Sequence, residues 1–233
     1  MDDRSETRRF LERHGMLAVR FDDLAADLLA EMEEGLAGRP SSLAMLPAWL
    51  APVERIPTGD PVLAIDAGGT NFRAALVSFG PEGPAVEGFR AAEMPGSRGE
   101  VGREAFFDAL AVRVADLAAR TGRIGFCFSY AMEILPDHEG RLLYFSKEIR
   151  APEVEGTLVG AGLAEALERA GVRGRRTTVL LNDTTATLLA GRSAAEDAAQ
   201  YDGYAGYILG TGTNAAYLEP SIPKAPGSAE QIV

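Results

Sequence analysis

The feature that most constrains this chain is a short pattern that occurs twice, once in each half. The first copy, Val62–Val77, reads VLAIDAGGTNFRAALV, and the second, Tyr204–Glu219, reads YAGYILGTGTNAAYLE. Each copy has an apolar β-like run, a glycine-rich turn that ends in Gly-Thr-Asn, and a second β-like run. Because glycine has no side chain to hold the backbone away, such turns let N–H groups approach an anion closely. The repeat therefore predicts two phosphate-sized binding turns and a nucleotide held between two lobes.

Composition and charge exclude several classes of function. The chain has 233 residues, of which 46% are hydrophobic and 24% charged, as in ordinary globular proteins. Its formal net charge of −11 argues against nucleic acid as the main partner, although a local turn can still attract an anion. Only Lys147 and Lys224 are lysines, and neither directly follows a glycine. A Walker-type phosphate loop, which needs such a lysine, is therefore excluded.

The sequence carries no sign of export or membrane insertion. Its first residues, MDDRSETRRFLERHG, are highly charged and lack the apolar core of a signal peptide. No apolar run approaches the length needed to cross a bilayer. Cys127 is the only cysteine, so an internal disulfide is impossible, which fits a reducing compartment. We therefore expect a soluble cytoplasmic protein without a membrane partner.

Helix and strand patterns are mixed along the chain, which places it in the α/β class. Apolar residues at helical spacing predict an amphipathic helix over Phe10–Leu36, interrupted at Gly15. A proline-rich connector follows up to Pro61, and weak strand signals lie around Ala85–Ala92. The other predicted elements are helices over Gly102–Arg120, Val154–Ala170 and Thr184–Arg192, and strands over Arg123–Tyr130, Leu142–Phe145 and Thr177–Leu181.

The first glycine-rich turn combines groups suited to phosphate. Asp66 ends a buried strand, where a carboxylate is well placed to hold a hydrated Mg²⁺ ion. Gly68, Gly69 and Thr70 would bind phosphate oxygens, and Arg73 could neutralise their charge. The alternative is an ordinary β-hairpin in which the glycines only satisfy a turn with positive φ. The second copy of the pattern favours the phosphate interpretation.

The second turn superficially matches a dinucleotide-binding fingerprint. Residues Gly210–Ala215, GTGTNA, fit the pattern G-x-G-x-x-G/A. That fingerprint must open a helix, because the pyrophosphate sits at the helix N-terminus. Here the next residues, Ala216–Glu219, are β-like and are followed by Pro220. A second phosphate-binding hairpin therefore fits better than a Rossmann turn.

Asp183 is the candidate general base. It follows the predicted buried strand Thr177–Leu181 and opens a helix, with Asn182 beside it. A carboxylate at such a place can accept the proton of a substrate hydroxyl, as phosphoryl transfer requires. The alternative is helix capping by Asp183 or Thr184, since Asp and Thr are both common N-caps. The residues alone favour the capping interpretation.

A further polar group consists of Ser129 with Tyr130, at the end of a buried strand, and of Ser146 with Lys147. Hydroxyl, ammonium and amide groups that converge on a cleft would suit a polyhydroxylated ligand. The alternative is that these are surface residues near strand ends, and the residues alone favour that alternative.

The segments that contain these groups are LAIDAGGTNFR, GFCFSYAMEI, YFSKEI, LNDTTATLLAG and GTGTNAAYLE. In this order they resemble the hexokinase family, and the helix followed by SSLAMLPAWL is similar to the amino-terminal part of those enzymes. The resemblance runs from about Phe10 to Glu219. It implies the actin-like ATPase fold, with a mixed β-sheet and flanking helices. The implied division is an N-terminal helix and connector (1–60), the small lobe (61–200) and the start of the large lobe, incomplete (201–233).

The resemblance also implies roles for single residues. ATP would be the phosphoryl donor, Asp66 would hold Mg²⁺ through water, Asp183 would be the catalytic base, and Lys147 would contact the sugar or the transferred phosphoryl group. The implied sugar-contacting residues are Ser129, Ser146, Lys147, Asn182, Asp183 and Asn214. The implied phosphate-binding residues are Asp66, Gly68, Gly69, Thr70, Asn71, Arg73, Gly210, Thr211, Gly212 and Thr213.

This chain departs from the family pattern in several places. Ala131 stands where the family often has proline, and Ser146–Ile149 reads SKEI in place of Thr-Lys-Gly-Phe. The family's sugar-binding glutamates and adenosine pocket lie beyond the equivalent of Val233. We expect an ATP-dependent hexose 6-phosphotransferase, with glucose as a suitable hexose. The alternatives are a catalytically silent sugar-binding or regulatory protein, a truncated fragment, and a kinase for another acceptor.

Overall fold

The computed structural model of the chain describes residues 3–50, 58–81, 83–145, 149–194, 201–210, 213–225 and 231–233. The chain divides into two compact units, Met1–Met45 with Ile222–Pro226, and Leu46–Ser221 with Gly227–Val233. All candidate site residues belong to the second unit. The three-part division implied by the resemblance stays a prediction.

The first unit contains two helices, α1 over Asp3–Arg13 and α2 over Phe21–Leu36. The predicted interruption at Gly15 is confirmed, because this residue has φ +69° and a 3-10 turn follows over Met16–Ala18. The predicted amphipathic stretch is therefore two helices with a left-handed break between them.

The second unit is built from strands and further helices. In chain order its strands are β1 (Val62–Gly68), β2 (Asn71–Gly80), β3 (Gly83–Glu93), β4 (Arg123–Phe128), β5 (Ala131–Ile134), β6 (Gly140–Tyr144), β7 (Thr177–Leu181), β8 (Ala205–Leu209), β9 (Thr213–Glu219) and β10 (Gln231–Ile232). Its helices are α3 (Arg103–Ala118), α4 (Val159–Arg169) and α5 (Asp183–Ala194). Across the described parts of both units, every helix is too short or too polar to cross a bilayer.

A five-stranded mixed sheet with the order β3-β2-β1-β4-β7 forms the centre of this unit. Strands β1, β2 and β3 are antiparallel neighbours, whereas β4 and β7 run parallel to β1. The three strands β10, β9 and β8 form a separate sheet, and β5 pairs with β6. The two copies of the sequence pattern are thus the β1–β2 and β8–β9 hairpins, as predicted.

One face of the five-stranded sheet carries the main hydrophobic core. Along β1, the buried residues Leu63, Ile65 and Ala67 alternate with less buried ones, and β4 shows the same alternation. Side chains of α3 and α4 belong to the same cluster of buried residues. These helices pack so closely that a Cβ on Gly162 would lie 2.4 Å from the Phe107 ring. The core therefore holds the strands in place by packing on one face of the sheet. The carboxyl ends of the parallel strands lie beside this core, at one edge of the sheet.

Most predicted elements are confirmed with small shifts at their ends. The predicted start of the second long helix at Val154 is wrong, because a 3-10 turn covers Pro152–Val154 and Gly156 has φ +77°, so α4 begins at Val159. Strands β5 and β10 were not predicted. They are four and two residues long, too short for an alternating pattern to be recognised.

Candidate active site

The carboxyl ends of three parallel strands meet at one edge of the sheet. Asp66 in β1, Cys127 in β4 and Leu181 in β7 are aligned in register. Ser129 follows β4 and Asp183 follows β7, so both residues come to the edge at which the first glycine-rich turn lies. Since neighbouring strands are about 4.8 Å apart, Asp66 and the end of β7 are separated by roughly 10 Å. Open α/β sheets bind ligands at this edge.

The first turn is a two-residue connection between β1 and β2. Gly68 pairs with Asn71, so Gly69 and Thr70 form the turn itself. Gly69 has φ +56°, in the left-handed region that favours glycine. A Cβ on Gly68 would lie 3.1 Å from Ser129 Oγ, which leaves little room for a side chain. The backbone conformation therefore favours glycine at position 69, and the contact with Ser129 favours glycine at position 68.

Protein donors hold both carbonyls of this turn. The Tyr130 hydroxyl donates to the Gly69 carbonyl at 2.6 Å, and the Met94 amide donates to the Thr70 carbonyl at 2.8 Å. Among the described residues, the amides of Gly69 and Thr70 have no hydrogen-bond acceptor. Because the carbonyl and the amide of a trans peptide point in opposite directions, the bond from Tyr130 to the Gly69 carbonyl turns the Thr70 amide, which belongs to the same peptide, away from Tyr130. Amides without acceptors at a turn are suited to bind a phosphate group.

Asp66 and Arg73 lie opposite each other on β1 and β2 and form an ion pair. Arg73 Nη1 donates to Asp66 Oδ2 at 3.0 Å, and 43% of the Asp66 side chain and 53% of the Arg73 side chain are exposed. An exposed pair of this kind contributes little to stability. Breaking this ion pair therefore costs little free energy. Arg73 can then bind phosphate oxygens, and Asp66 can bind a hydrated cation.

Ser129 and Tyr130 are both buried beside this turn. The Ser129 amide donates to the Ala67 carbonyl at 3.0 Å, which extends the β1–β4 pairing beyond the end of β4. Burial raises the pKa of the Tyr130 phenol above its usual value of 10.0, and the charge of Asp66 adds to this effect. The phenol therefore stays protonated at physiological pH and remains a donor to Gly69.

Asn182, and not Asp183 or Thr184, is the N-cap of α5. The Thr184 amide donates to Asn182 Oδ1 at 3.0 Å, and the Ala186 amide donates to the Asn182 carbonyl at 3.0 Å. The predicted alternative of capping by Asp183 or Thr184 is therefore wrong. The half-buried Asp183 carboxylate accepts a hydrogen bond from Thr184 Oγ1 at 3.2 Å. Since Asp183 is not needed as a cap, its carboxylate is available for another role.

The side chain of Asn214, at the start of β9, contacts Asn182, the residue that directly follows β7. Asn214 Nδ2 donates to Asn182 Oδ1 at 3.0 Å, and Asn214 Oδ1 accepts from the Ala215 amide at 3.0 Å. Two of the sugar-contacting positions implied by the resemblance are thus in direct contact, and Asp183 follows one of them in the chain.

The second turn is described in part. Leu209 pairs with Thr213 across β8 and β9, and Gly210 begins the turn between them. A Cβ on Gly206 would lie 2.6 Å from the Thr184 carbonyl oxygen and 2.9 Å from the Leu188 amide nitrogen. Backbone atoms of β8 therefore rest directly on the first turns of α5. The predicted site residues outside the described set are Ser146, Lys147, Thr211 and Gly212.

Several supporting residues were not predicted. Tyr130 was grouped with Ser129 from the sequence, but its hydrogen bond to the Gly69 carbonyl was not predicted. The hydrogen bond from Met94 to Thr70 joins the loop after β3 to the turn. Gly206 matters because α5 packs so close to β8 that a side chain would not fit there. No local pattern announces either of these long-range contacts.

The donor groups at this edge fit Mg²⁺ bound together with phosphate. The described residues contain no group of three or more His, Cys, Asp or Glu side chains that could enclose a metal ion. A hydrated Mg²⁺ that binds phosphate oxygens needs only one or two carboxylates. Asp66 meets this need, because its carboxylate is partly exposed and lies on the strand that leads into the turn.

The sheet order, with three antiparallel strands followed by two parallel ones, defines the class of fold. The structure of the hexokinase from Schistosoma mansoni complexed with glucose matches 100% of this chain and 55% of its own chain, with a TM-score of 0.78 and 24% identity. A second crystal structure of a hexokinase matches 85% of this chain and 49% of its own, with a TM-score of 0.60 and 25% identity. The protein has the actin-like ATPase fold.

Sequence comparison gives the family. The profile of the hexokinase family matches residues 6–193. Hexokinase-1 of Nicotiana tabacum is 32% identical over 97% of this chain, and Hexokinase-2 of Solanum tuberosum is 31% identical over 99% of it. The chain belongs to the hexokinase family, whose members are kinases. It covers 48% and 49% of these two relatives and thus spans about half their length.

Proposed function

We propose that this protein takes part in the ATP-dependent phosphorylation of a hexose such as glucose, with transfer of the γ-phosphoryl group to the 6-hydroxyl. The observation that supports this best is the first turn, where Gly69 and Thr70 have bonded carbonyls and unpartnered amides among the described residues. The same sheet edge holds Asp183, which the capping role of Asn182 leaves available.

Asp183 is the proposed general base. It would accept the proton of the hexose 6-hydroxyl as that oxygen attacks the γ-phosphorus. The side chains of Asn182 and Asn214, joined at 3.0 Å, would bind and orient hexose hydroxyls, and Ser129 would complete this part of the pocket. Orientation of the hydroxyl is itself a large part of the catalytic effect.

Further sugar contacts are proposed from the family resemblance alone. Ser146 would add a hydroxyl to the pocket, and Lys147 would contact the sugar or the transferred phosphoryl group. Both positions lie outside the described residues.

Two turns would hold the phosphates of ATP. In the first, the amides of Gly69 and Thr70 would bind phosphate oxygens, with Gly68 and Asn71 at the turn ends and Arg73 neutralising charge. In the second, Gly210, Thr211, Gly212 and Thr213 would do the same. Mg²⁺, held by Asp66 through water, would supply positive charge that stabilises the transferred group.

A hexose-binding protein without kinase activity is the second candidate. The convergence of Asn182 with Asn214 suits a sugar. For the leading candidate, the proposed setting is cytoplasmic glycolysis, since the product would be a hexose 6-phosphate.

Asp183→Asn tests the leading candidate. This variant keeps the shape of the side chain and removes the base, so turnover of glucose with MgATP should fall on the order of 10²- to 10⁴-fold while glucose affinity stays within about 5-fold. Asp202→Asn is the matched control, because Asp202 is exposed and lies outside the proposed site. Turnover and calorimetric glucose binding are measured on the same preparations.

Near-normal turnover in Asp183→Asn would contradict the proposed base. Glucose binding without turnover in the unaltered chain would favour the second candidate. Binding of neither glucose nor MgATP would contradict both.

A further inference from the structure

The first turn is held by groups that lie outside its own sequence motif. The central peptide of the turn joins Gly69 to Thr70, so the Gly69 carbonyl and the Thr70 amide belong to one planar unit. The Tyr130 hydroxyl donates to that carbonyl at 2.6 Å. Fixing the carbonyl therefore fixes the direction of the Thr70 amide, the group that the proposed function assigns to phosphate.

Tyr130 is itself held rigidly. Its side chain is 2% exposed, and its ring packs against Phe128 at 4.7 Å and against Phe145 at 4.9 Å between ring centroids. A hydroxyl on a ring that is packed in this way occupies one position, and it can hold an otherwise adaptable glycine peptide. Burial also raises the pKa of Tyr130 above its usual value of 10.0, so the phenol remains a donor at neutral and at mildly alkaline pH.

A second anchor holds the other end of the turn. The loop after β3 supplies the Met94 amide to the Thr70 carbonyl at 2.8 Å. This loop is joined in turn to Arg150, whose amide donates to the Gly96 carbonyl at 3.0 Å and whose carbonyl accepts from Val101 at 2.9 Å. Gly96 has φ +85°, and a Cβ there would lie 3.1 Å from both the amide nitrogen and the carbonyl oxygen of Arg150.

We propose that Tyr130 is a positioning residue that orients the Gly69–Thr70 peptide for phosphate, with Gly96 as the support of the second anchor. The proposal rests on the proposed function, because it assigns Thr70 to the phosphate side. It adds a residue that acts through the backbone of the turn and does not touch either substrate. A phenylalanine at position 130 would keep the packed ring and remove the hydroxyl that donates to Gly69.

Tyr130→Phe is therefore the first test, with Tyr217→Phe as its matched control. The Tyr217 hydroxyl also makes a hydrogen bond, to Glu219 Oε2 at 3.0 Å on β9. We expect Tyr130→Phe to weaken MgATP binding by about 5-fold while glucose affinity stays within about 2-fold, and Tyr217→Phe to change neither. A purely structural loss would lower the melting temperature and weaken both ligands together. Unchanged MgATP affinity in Tyr130→Phe would overturn the proposal.

The second test compares the single variants Gly96→Ala and Gly171→Ala. Both glycines have nearly the same backbone angle, φ +85° and +83°, but nothing lies within 4 Å of a Cβ on Gly171. The two variants thus share the backbone strain, and only Gly96→Ala pushes against Arg150. Weaker MgATP binding in Gly96→Ala than in Gly171→Ala supports the second anchor, and equal binding overturns it.

A measurement on the ligand-free protein distinguishes the failure of this proposal from the failure of the proposed function. If the unaltered chain binds neither MgATP nor magnesium pyrophosphate, the proposed function fails, and the orientation of the turn is then read from NMR spectra. The Gly69 carbonyl carbon and Thr70 amide resonances should move in Tyr130→Phe and stay in place in Tyr217→Phe. Unchanged resonances at Gly69 and Thr70 in Tyr130→Phe would overturn the positioning role without reference to any ligand.

Discussion

The two glycine-rich hairpins share a sequence pattern but differ in what surrounds them. The first joins β1 and β2 inside the five-stranded sheet, with β3 and β4 on either side. The second joins β8 and β9 in a three-stranded sheet, where β8 is an outer strand. Tyr207 and Leu209 on β8 are 61% and 76% exposed, whereas Phe72 and Leu76 on β2 are buried.

This difference separates a turn held by its neighbours in the sheet from a hairpin whose strand β8 rests on a helix. The first turn has its carbonyls bonded by Tyr130 and Met94, and the bond to the Gly69 carbonyl orients the Thr70 amide before a ligand binds. The second hairpin rests on α5 through Gly206, and its Asn214 contacts the N-cap Asn182. Preorganised donors stabilise charge most effectively, so the first turn is a candidate for a fixed phosphate receptor.

Gly206→Ala should have the largest effect on this comparison. The new methyl group would meet the Thr184 carbonyl oxygen at 2.6 Å, so β8 has to move away from α5. We expect a loss of about 2–3 kcal/mol in the free energy of unfolding, together with weaker glucose binding through displaced Asn214. Urea unfolding followed by fluorescence measures the first effect and calorimetry the second. Gly203→Ala, with nothing within 4 Å, is the control, and equal stability of the two variants would refute the close packing.

Gly68→Ala should perturb the first hairpin less. Its Cβ would approach Ser129 Oγ at 3.1 Å and Asp66 Oδ1 at 3.5 Å, contacts that side chains can relieve by small shifts. We expect a loss of about 1 kcal/mol in stability and about 10-fold weaker MgATP binding, because the turn moves relative to the phosphate. Gly125→Ala in the same sheet is the control, since its nearest neighbour is Val62 Cγ1 at 3.9 Å. Wild-type MgATP affinity in Gly68→Ala would speak against a phosphate role for this turn.

The local parts of this picture could be predicted from the sequence. Alternating apolar residues and a glycine-threonine turn gave the β1–β2 hairpin, and the end of β7 was placed correctly at Leu181. Gly15 was recognised as a break because a glycine between two helical patterns favours positive φ.

Contacts between distant segments could not be predicted in the same way. Asn182 became the cap of α5 in place of Asp183 because its carbonyl and side chain both face the first helical turn, and the two residue types are nearly equal as caps. Met94 reaches Thr70 only because β3 pairs with β2. Such contacts depend on the assembled sheet, and a single sequence does not contain them.

Loss of the Asn182–Asn214 contact should lower the free energy of unfolding by no more than Gly206→Ala or Gly68→Ala does. Asn182→Ala removes a helix cap and should cost about 1 kcal/mol, whereas Asn214→Ala removes two exposed hydrogen bonds, one to Asn182 and one from the Ala215 amide. A double-mutant cycle should give a coupling free energy of about 0.5–1 kcal/mol for the pair. Additive effects of the two substitutions on unfolding would show that the side chains do not interact in solution.

The smallest expected effect is a change of stability with pH. It should be absent near neutrality and appear only at alkaline pH. Burial, followed by the Asp66 charge, raises the pKa of Tyr130, and burial, followed by the bond to Glu219, raises the pKa of Tyr217 to about 12. The unfolded tyrosines ionise first, near pH 10.0, so their stabilising contribution is complete below that pH and is lost above it. Urea unfolding between about pH 8 and pH 11 should show constant stability and then a decline that Tyr130→Phe reduces. A decline that begins below about pH 9 would contradict this assignment.

The most direct measurement of the central claim is an NMR titration of backbone amides with MgATP. If the first hairpin is the phosphate receptor, the Gly69 and Thr70 amide resonances move and saturate together, and they move much less in Gly68→Ala. If saturating MgATP leaves both resonances unchanged, these amides do not bind phosphate and the account is contradicted.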